Sequence, residues 1–524
     1  MLKFWRNPEF VRHVRAELRP ARAVLVAVVV LFLCALIGLA CWSQRQELLE
    51  NAEQNARPYG DRWTTYLEQL RHDNARQTWL LLCKWLLGLQ AGLVTFWSLF
   101  MCAQSVSGER DHKTWDFQRT TSLTPAEITV GKLLGEPVLA YFAALCVLPI
   151  TFLSGAVGGV SIWTLLAGYI GLIACALFLG LCALWLSTLL ETRSRGIGLI
   201  GALGLYGFTL GTHGFAMSWF PGLAAFSPLT GLHTILELKF EGNREVAPVL
   251  FGHAVPWLLM SLLLYASFGA WVTVMLLRNL KRDYSDIRPL SRWQAVGCVA
   301  FLNFVFYALF RSGGSAVKSD TLATFMVSLN GAILFLVGLA SLTPQERLKV
   351  WWRGRAEGTS SMFSEDGLPW PWLVLSAIVA YGLMAWGLVA WRLSLDFQSG
   401  SLRSAAIQLL VVLIFITRDI LFIQWCTLTR FRQPVVKGFL FLCLYYGAAT
   451  VMIALTSISG ESAATATMNV LTPVGIFDPR TEWGHFYTSL YGGMALQVGL
   501  IAVILVAISN RLGRPSLVPA VSEG

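Results

Sequence analysis

Long apolar stretches recur along the whole chain, and they constrain its fold more than any other feature. Stretches of about 18 residues or more are long enough to cross the ~30 Å hydrocarbon layer of a membrane as one α-helix. Only 13% of the residues are charged, against about 25% in an ordinary soluble domain. So few charges cannot give a chain of 524 residues a hydrated surface. The sequence therefore predicts an all-α polytopic membrane protein and excludes a soluble enzyme, a disordered chain and a disulfide-rich secreted module.

The apolar stretches predict about twelve membrane spans, arranged as two halves of six. The first half covers residues 23–280 and the second half covers 281–524. An N-terminal segment, residues 1–22, precedes them. The predicted spans are 23–42, 79–104, 133–155, 162–189, 196–215, 251–277, 294–310, 321–342, 371–391, 404–426, 436–457 and 486–509.

The distribution of basic residues predicts that both termini are cytoplasmic. With that orientation, the inside segments hold roughly twice as many Lys and Arg residues as the outside segments, as the positive-inside rule requires. The net charge of +10 is then a property of the loops, and it gives no reason to expect a nucleic-acid partner. Segment 43–78 becomes the first outer loop, in which the break at Pro58 to Gly60 predicts two short surface helices. A second outer loop, 458–485, is expected to act as a lid or as a docking surface.

The N-terminal segment predicts a basic amphipathic helix that lies in the cytoplasmic interface. Phe10, Val11, Val14 and Leu18 fall on one helical face, and arginines surround the rest. A purely topogenic role for these arginines explains the pattern equally well.

The cytoplasmic loop 105–132 carries the most informative local pattern. Ser122 or Thr124 is suited to cap a helix that restarts at Pro125, with Glu127 in its first turn. Lys132 and Glu136 lie four residues apart at the start of the third span, so they are expected to pair. The loop therefore predicts a short helix across the membrane plane, a turn, and a second helix that leads into the third span.

This loop resembles that of the permease subunits of type-2 ABC exporters, in the long form with two six-span halves. That family has an acidic residue with Arg, then Gly-Thr, an acidic and apolar stretch, an apolar-Thr-Pro turn with a following Glu, and Gly-Lys. The sequence has Lys113 in place of the Gly and Asp116 in place of a Glu. The resemblance extends over residues 1–280. It implies that the loop couples the permease to an ATPase through Glu109, Arg110, Thr114, Asp116, Thr124, Pro125, Glu127 and Lys132.

The same resemblance implies that the chain binds no cofactor itself. No G-x-x-x-x-G-K-[ST] motif occurs in the sequence, so ATP and Mg²⁺ would be bound by a partner chain. The expected partners are ABC ATPase subunits, two for each permease chain, together with the lipid bilayer. A homodimer, or pairing with an accessory protein, is the alternative assembly. The histidines form no metal-binding pair, and no hydrolase motif is present, so the sequence predicts neither a metal site nor enzymatic activity. The family resemblance further implies the bacterial cytoplasmic membrane.

The second half repeats parts of this pattern. The tetrapeptide Ser-Leu-Thr-Pro occurs at 122–125 and again at 341–344, where the cytoplasmic loop 343–370 begins. Arg418 and Asp419 would be costly at the centre of a bilayer. We therefore expect the tenth span to end near Thr417, with an interfacial elbow in the cytoplasmic segment 418–437. The predicted second-half contacts are Thr343, Pro344, Arg418, Asp419, Arg430 and Arg432.

Other functions remain as alternatives to the ABC permease. An ion-coupled secondary transporter would also have twelve spans with both termini inside, although few charges fall within the predicted spans. A membrane assembly scaffold would tolerate loss of the charges in loop 105–132. A membrane-embedded enzyme should show clustered acidic or His residues at one interface, which this sequence lacks.

Overall fold

A computed structural model describes twelve stretches of the chain. These are residues 7–56, 62–115, 123–189, 201, 203–210, 221–228, 248–282, 288–309, 319–390, 399–429, 434–473 and 483–513. The chain divides into two compact units. Unit 1 contains residues 1–287 and 308–311, and unit 2 contains residues 288–307 and 312–524.

The described part of unit 1 is built almost entirely from helices. They are α1 (Pro8–Glu17), α2 (Pro20–Ala56), α3 (Arg62–Ala91), a π-helix (Gly92–Trp97), α4 (Ser98–Asp111), α5 (Pro125–Gly135), α6 (Val138–Val157), α7 (Ile162–Leu189), a 3₁₀ helix (Pro221–Phe226) and α8 (Trp257–Lys281). A two-residue hairpin joins β1 (Val249–Leu250) to β2 (His253–Ala254) in antiparallel register.

Helices α2 and α3 extend well beyond the predicted first and second spans. The prediction of two separate short helices in 43–78 is wrong, because α2 continues without a break from Pro20 to Ala56 and α3 begins at Arg62. The polar residues of this segment favour helix, so the apolar spans continue into them.

The second span contains a π-helical turn between α3 and α4. Within it, Val94 and Thr95 are buried, and the Thr95 hydroxyl donates a hydrogen bond of 2.6 Å to the carbonyl of Ala91. A π turn widens the helix by one residue and is frequently found at functional sites.

Unit 2 contains the remaining helices. They are α9 (Arg292–Leu309), α10 (Ser319–Ala340), α11 (Gln345–Ala356), α12 (Trp370–Ala390), α13 (Ser399–Thr427), α14 (Pro434–Ser459), α15 (Glu461–Leu471) and α16 (Trp483–Leu512). The last two residues of α9, Ala308 and Leu309, are grouped with unit 1.

Helix α13 corrects one prediction directly. It runs unbroken from Ser399 to Thr427, so the expected end at Thr417 and the interfacial elbow after it are wrong. Arg418 and Asp419 are buried inside this helix bundle. The helix continues because side chains of neighbouring helices satisfy both charges, as described below.

Helix α15 folds back into unit 2 along α14. The chain reverses at Gly460, whose φ of +131° lies in the region that favours glycine. The carbonyl of Leu471, at the end of α15, accepts a 2.9 Å hydrogen bond from the hydroxyl of Tyr445, which lies near the middle of α14. Part of the predicted outer loop 458–485 is therefore a helix inserted to mid-bundle depth.

The described helices account for nearly all of the predicted spans. Ten are long and apolar enough to cross a membrane, and α10 with α11 makes an eleventh if that bent pair counts as one span. Every predicted span except 196–215 overlaps one of them; that segment lies largely outside the described residues, of which 203–210 are helical. The prediction of an all-α polytopic membrane protein is confirmed.

Candidate functional site: the α1–α5 cluster

Helix α5 begins with the capping arrangement that the sequence predicts. The Thr124 hydroxyl accepts a hydrogen bond from the backbone N–H of Glu127, and the Glu127 carboxylate accepts one of 2.8 Å from the backbone N–H of Thr124. Pro125 occupies the first helical position, where a missing N–H costs nothing. These bonds to Thr124 lower the pKa of Glu127. The local prediction for the start of this helix is confirmed.

The end of α4 differs from the prediction. Residues 105–111 were expected to start the loop, but they continue the helix to Asp111. Glu109 and Arg110 therefore lie in its last turn. The guanidinium of Arg110 is buried and donates a 3.0 Å hydrogen bond to the carbonyl of Thr188 on α7. Both residues belong to the packed base of the loop.

Lys113 occupies a backbone position that would suit a glycine. Its φ of +57° is left-handed, a conformation that glycine adopts at little cost. The N–H of Lys113 bonds to the carbonyl of Arg110, and the N–H of Thr114 bonds to the carbonyl of Glu109. This pair of bonds is the Schellman motif that commonly ends a helix. The turn after α4 is thus fixed by backbone hydrogen bonds, with a lysine at its strained position.

Helix α1 lies beside α5 and runs parallel to it. The Asn7 amide donates a 2.7 Å hydrogen bond to the carbonyl of Glu127. Further along, a Cβ added at Gly131 would lie 2.7 Å from the Cβ of Glu9, and one added at Gly135 would lie 2.9 Å from the Cβ of His13. Contacts this short leave no room for any side chain at the two glycines. Their four-residue spacing therefore provides the groove in which α1 lies.

Six ionisable side chains meet where α1, α4 and α5 converge, and they form the α1–α5 cluster. At its centre the Lys132 ammonium is fully buried, 2.6 Å from the Glu109 carboxylate and 3.7 Å from that of Glu9. The predicted pairing of Lys132 with Glu136 is present, at 3.9 Å. The members of the cluster are Glu9, Arg12, His13, Glu109, Lys132 and Glu136.

Further contacts close the cluster. Arg12 lies 2.7 Å from both Glu9 and Glu109, so it joins α1 to the last turn of α4. The hydroxyl of Ser105 accepts from Lys132 at 3.1 Å and donates to Glu136 at 2.6 Å. The ring of Trp115 lies 5.9 Å from the Lys132 ammonium, within the range of a cation–π contact.

In the cluster, opposite charges and hydrogen bonds offset the cost of burying each ionised side chain. Burial opposes ionisation of Glu9, but the hydrogen bond from His13 and the charges of Lys132 and Arg12 outweigh it and lower the pKa of Glu9. Burial also opposes the charge of Arg12, while its hydrogen bond to Glu109 and the nearby carboxylates raise its pKa. Glu9 and Arg12 are therefore held in their charged forms.

The donor atoms of Glu9, His13 and Glu109 lie within 4.8 Å of one another, close enough to be considered as metal ligands. Lys132 already lies against both carboxylates, and a divalent cation there would be repelled by its ammonium group. The arrangement is suited to holding helices together rather than to binding a metal.

The predicted coupling residues separate into exposed and buried groups. Thr114 and Thr124 are exposed, Pro125 and Glu127 are partly exposed, and Asp116 lies outside the described residues. Glu109 is mostly buried, while Arg110 and Lys132 are buried. The sequence analysis did not predict that Glu9, Arg12, His13 and Trp115 join this site. The only available signal was the matching four-residue spacing of Glu9 with His13 and of Gly131 with Gly135.

The second Ser-Leu-Thr-Pro segment lies at a sharp bend, where α11 turns 88° away from α10. Thr343 is buried, and its hydroxyl accepts a 2.9 Å hydrogen bond from Arg292. Its backbone exchanges two hydrogen bonds with the amide of Gln424, at 2.9 and 2.8 Å. Pro344 is exposed. The same four residues thus precede a short helix in both units, but Thr124 caps its helix whereas Thr343 stabilises a bend.

Arg418 and Asp419 form a hydrogen-bonded network inside unit 2. Arg418 donates to Asp419 at 2.6 Å, to Gln497 at 2.7 Å and to the hydroxyl of Tyr445 at 3.1 Å. The hydroxyl of Tyr446 donates to Asp419 at 2.6 Å. Arg418 and Asp419 are therefore enclosed by the helix bundle and do not form a contact surface for a partner. Arg430 and Arg432 lie outside the described residues.

The described helices define a multi-pass α-helical membrane protein. Residues 9–232 match the model of the ABC-2 type transporter family, which supports a permease of an ABC transporter. The match begins at Glu9 and includes the whole α1–α5 cluster. No curated protein and no solved structure gives a significant match.

Proposed function

We propose that the chain is the permease subunit of an ABC exporter and moves its substrate by using ATP that a separate ATPase hydrolyses. The ATPase would bind ATP and Mg²⁺, and two such subunits would serve each permease chain. The expected location is the bacterial cytoplasmic membrane, with both termini in the cytoplasm. The ABC-2 match over residues 9–232 supports the class, and the turn after α4 supports the mode of coupling.

One observation carries the coupling proposal: an exposed turn stands on a rigid, buried base. Lys113 and Thr114 are exposed, as is Thr124 at the start of α5. Directly beneath them, Lys132 and Glu109 join α5 to α4 at 2.6 Å. A push on the exposed residues would therefore be transmitted to three helices together, because the charges of the cluster connect α1, α4 and α5.

The test is co-purification of the full chain from native membranes in mild detergent, with quantitative mass spectrometry of what accompanies it. The proposal expects an ABC ATPase in stoichiometric amount. Two copies per permease chain would support two docking halves in one chain, and one copy would support a homodimer. If a control exporter retains its ATPase under the same conditions and this chain retains none, the proposal is wrong.

A charge reversal on the exposed turn tests the docking surface itself. Lys113→Glu changes an exposed side chain and should reduce the amount of co-purified ATPase at least several-fold. Arg15→Glu is the matched control, since Arg15 is exposed on α1 and outside the turn. Equal ATPase recovery with both variants would exclude the turn as the docking surface. Glu109→Ala is a poorer test, because Glu109 also holds the cluster together.

An ion-coupled secondary transporter is the second candidate, and one observation favours it. Arg418 and Asp419 lie inside the candidate membrane span Ala405–Thr427, and ionisable residues within spans often mark ion or proton pathways. Transport into proteoliposomes driven by a proton or sodium gradient, without any ATPase, would support it. Loss of that transport in Asp419→Asn would assign the pathway to this pair.

A further inference from the structure

A cavity of about 330 Å³ lies between α2 and α3 in unit 1, where it is lined by residues from 41–48 of α2 and from 74–84 of α3. Its volume falls within the range of ~300–1,000 Å³ that is usual for small-molecule sites. The proposed ATPase coupling uses none of its residues. The polar part of its lining comprises Gln44, Arg45, Asn74, Gln77, Thr78 and Lys84.

Among the described residues of this lining, the charged side chains are positive. Arg45 and Lys84 are the ionisable members apart from the buried thiol of Cys41, and none of the ten described lining residues is acidic. Arg45 and Lys84 supply positive charge, and the neutral amides beside them supply further hydrogen-bond donors. This lining suits an anion, because hydrogen bonds from charged donors to anions are stronger than those between neutral groups.

The residues around the cavity suit the boundary between lipid and water. Trp42 is half exposed beside it, and its ring lies 5.1 Å from the Arg45 guanidinium. Tryptophan is enriched at this level of membrane proteins. Leu80 and Leu81 line the apolar side of the cavity, so an anion bound there would have hydrocarbon next to it.

We infer that this cavity binds a phosphate group, with Arg45 and Lys84 as its charged ligands. Arginine pairs well with phosphate because its planar guanidinium offers several donors in a fixed geometry. The glutamine and asparagine side chains supply further donors. A phosphate here has two sources, the headgroup of an anionic phospholipid and free phosphate. The apolar side formed by Leu80 and Leu81 favours the lipid.

The test uses the purified, delipidated full chain, titrated with phosphatidylglycerol and measured by native mass spectrometry. The double variant Arg45→Gln/Lys84→Gln should weaken the first phosphatidylglycerol bound by about 100-fold, since a charged hydrogen bond contributes about 10-fold or more. Arg15→Gln/Lys113→Gln removes the same charge at exposed positions outside the cavity. This control should change the affinity less than about 3-fold.

Two further measurements separate lost binding from misfolding, and lipid phosphate from free phosphate. Arg45→Lys/Lys84→Arg preserves both charges, so retained binding there shows that loss in the glutamine variant is not misfolding. Calorimetry with inorganic phosphate alone separates the two sources: binding that depends on Arg45 and Lys84 would assign free phosphate. The inference is overturned if the glutamine variant binds phosphatidylglycerol and phosphate like the unaltered chain, or if the control pair weakens binding equally.

Discussion

Lys132 gives the sharpest test of the α1–α5 cluster. Its side chain is fully buried, and its ammonium lies 2.6 Å from Glu109, 3.7 Å from Glu9 and 3.9 Å from Glu136. Lys132→Met keeps a side chain of similar length and removes the charge, together with the hydrogen bond to Ser105. The variant leaves three carboxylates facing Arg12 and His13.

The expected loss in the free energy of unfolding follows from the burial of this ion pair. Removing one partner of a buried ion pair typically costs about 3–5 kcal/mol, because the remaining charge stays buried without compensation. Against a total stability of about 5–15 kcal/mol, such a loss is large. The double variant Lys132→Met/Glu109→Gln removes one charge of each sign and should recover about 1–3 kcal/mol of that loss.

The assay is reversible unfolding of the purified chain in mixed micelles with an increasing fraction of a denaturing detergent, followed by far-UV circular dichroism. Lys113→Met is the matched control, since it removes the same charge from an exposed position. It should change the free energy of unfolding by less than about 0.5 kcal/mol. The reasoning is refuted if Lys132→Met costs less than about 1 kcal/mol, or if the effects of the two substitutions simply add.

Three other predictions concern the same region. Gly131→Ala should loosen α1 and speed its proteolysis, since the new Cβ would lie 2.7 Å from that of Glu9, whereas Gly88→Ala, with nothing within 4 Å, should not. Lys113→Gly should raise the free energy of unfolding by about 1 kcal/mol by relieving its left-handed φ; no gain would contradict the assigned turn. The folded state lowers the pKa of Glu9 below its ordinary 4.5, so its ionised form stabilises the fold above that value, and this contribution is lost as the pH falls through the lowered pKa. Glu9→Gln should therefore flatten the stability profile on the acid side, and an unchanged profile would rule out this role.

The spans were predictable because their signal is local. Each apolar stretch must lie in lipid or in the bundle wherever the rest of the chain goes, so its position can be read without knowing its neighbours. The cap at Thr124 was predictable for the same reason, since its partner Glu127 is three residues away. The positions at which α2 ends and α3 begins were not predictable from hydropathy. Hydropathy falls in this polar segment, whereas helix propensity stays high.

The contacts that distinguish this protein are long-range and could not be predicted in this way. Arg418 pairs with its neighbour Asp419, but Tyr446 and Gln497 complete its network from other helices. From the sequence, only the cost of placing two charges in a span is evident, and that cost predicts an end of the span near Thr417. Glu9 presents the same problem, since nothing near it in the sequence reveals that Lys132 lies beside it.

The groove that α5 provides for α1 has a consequence for biosynthesis. Helix α1 is the first described element to be made, whereas Lys132 follows Glu9 by 123 residues. At about 5–20 residues per second, α1 waits about 6–25 s before its groove exists. During that interval Glu9 and Arg12 lack their partners on α5 and α4, although they pair with each other within α1. The N-terminal helix therefore closes this corner of unit 1 late, after the helices that it joins have been placed.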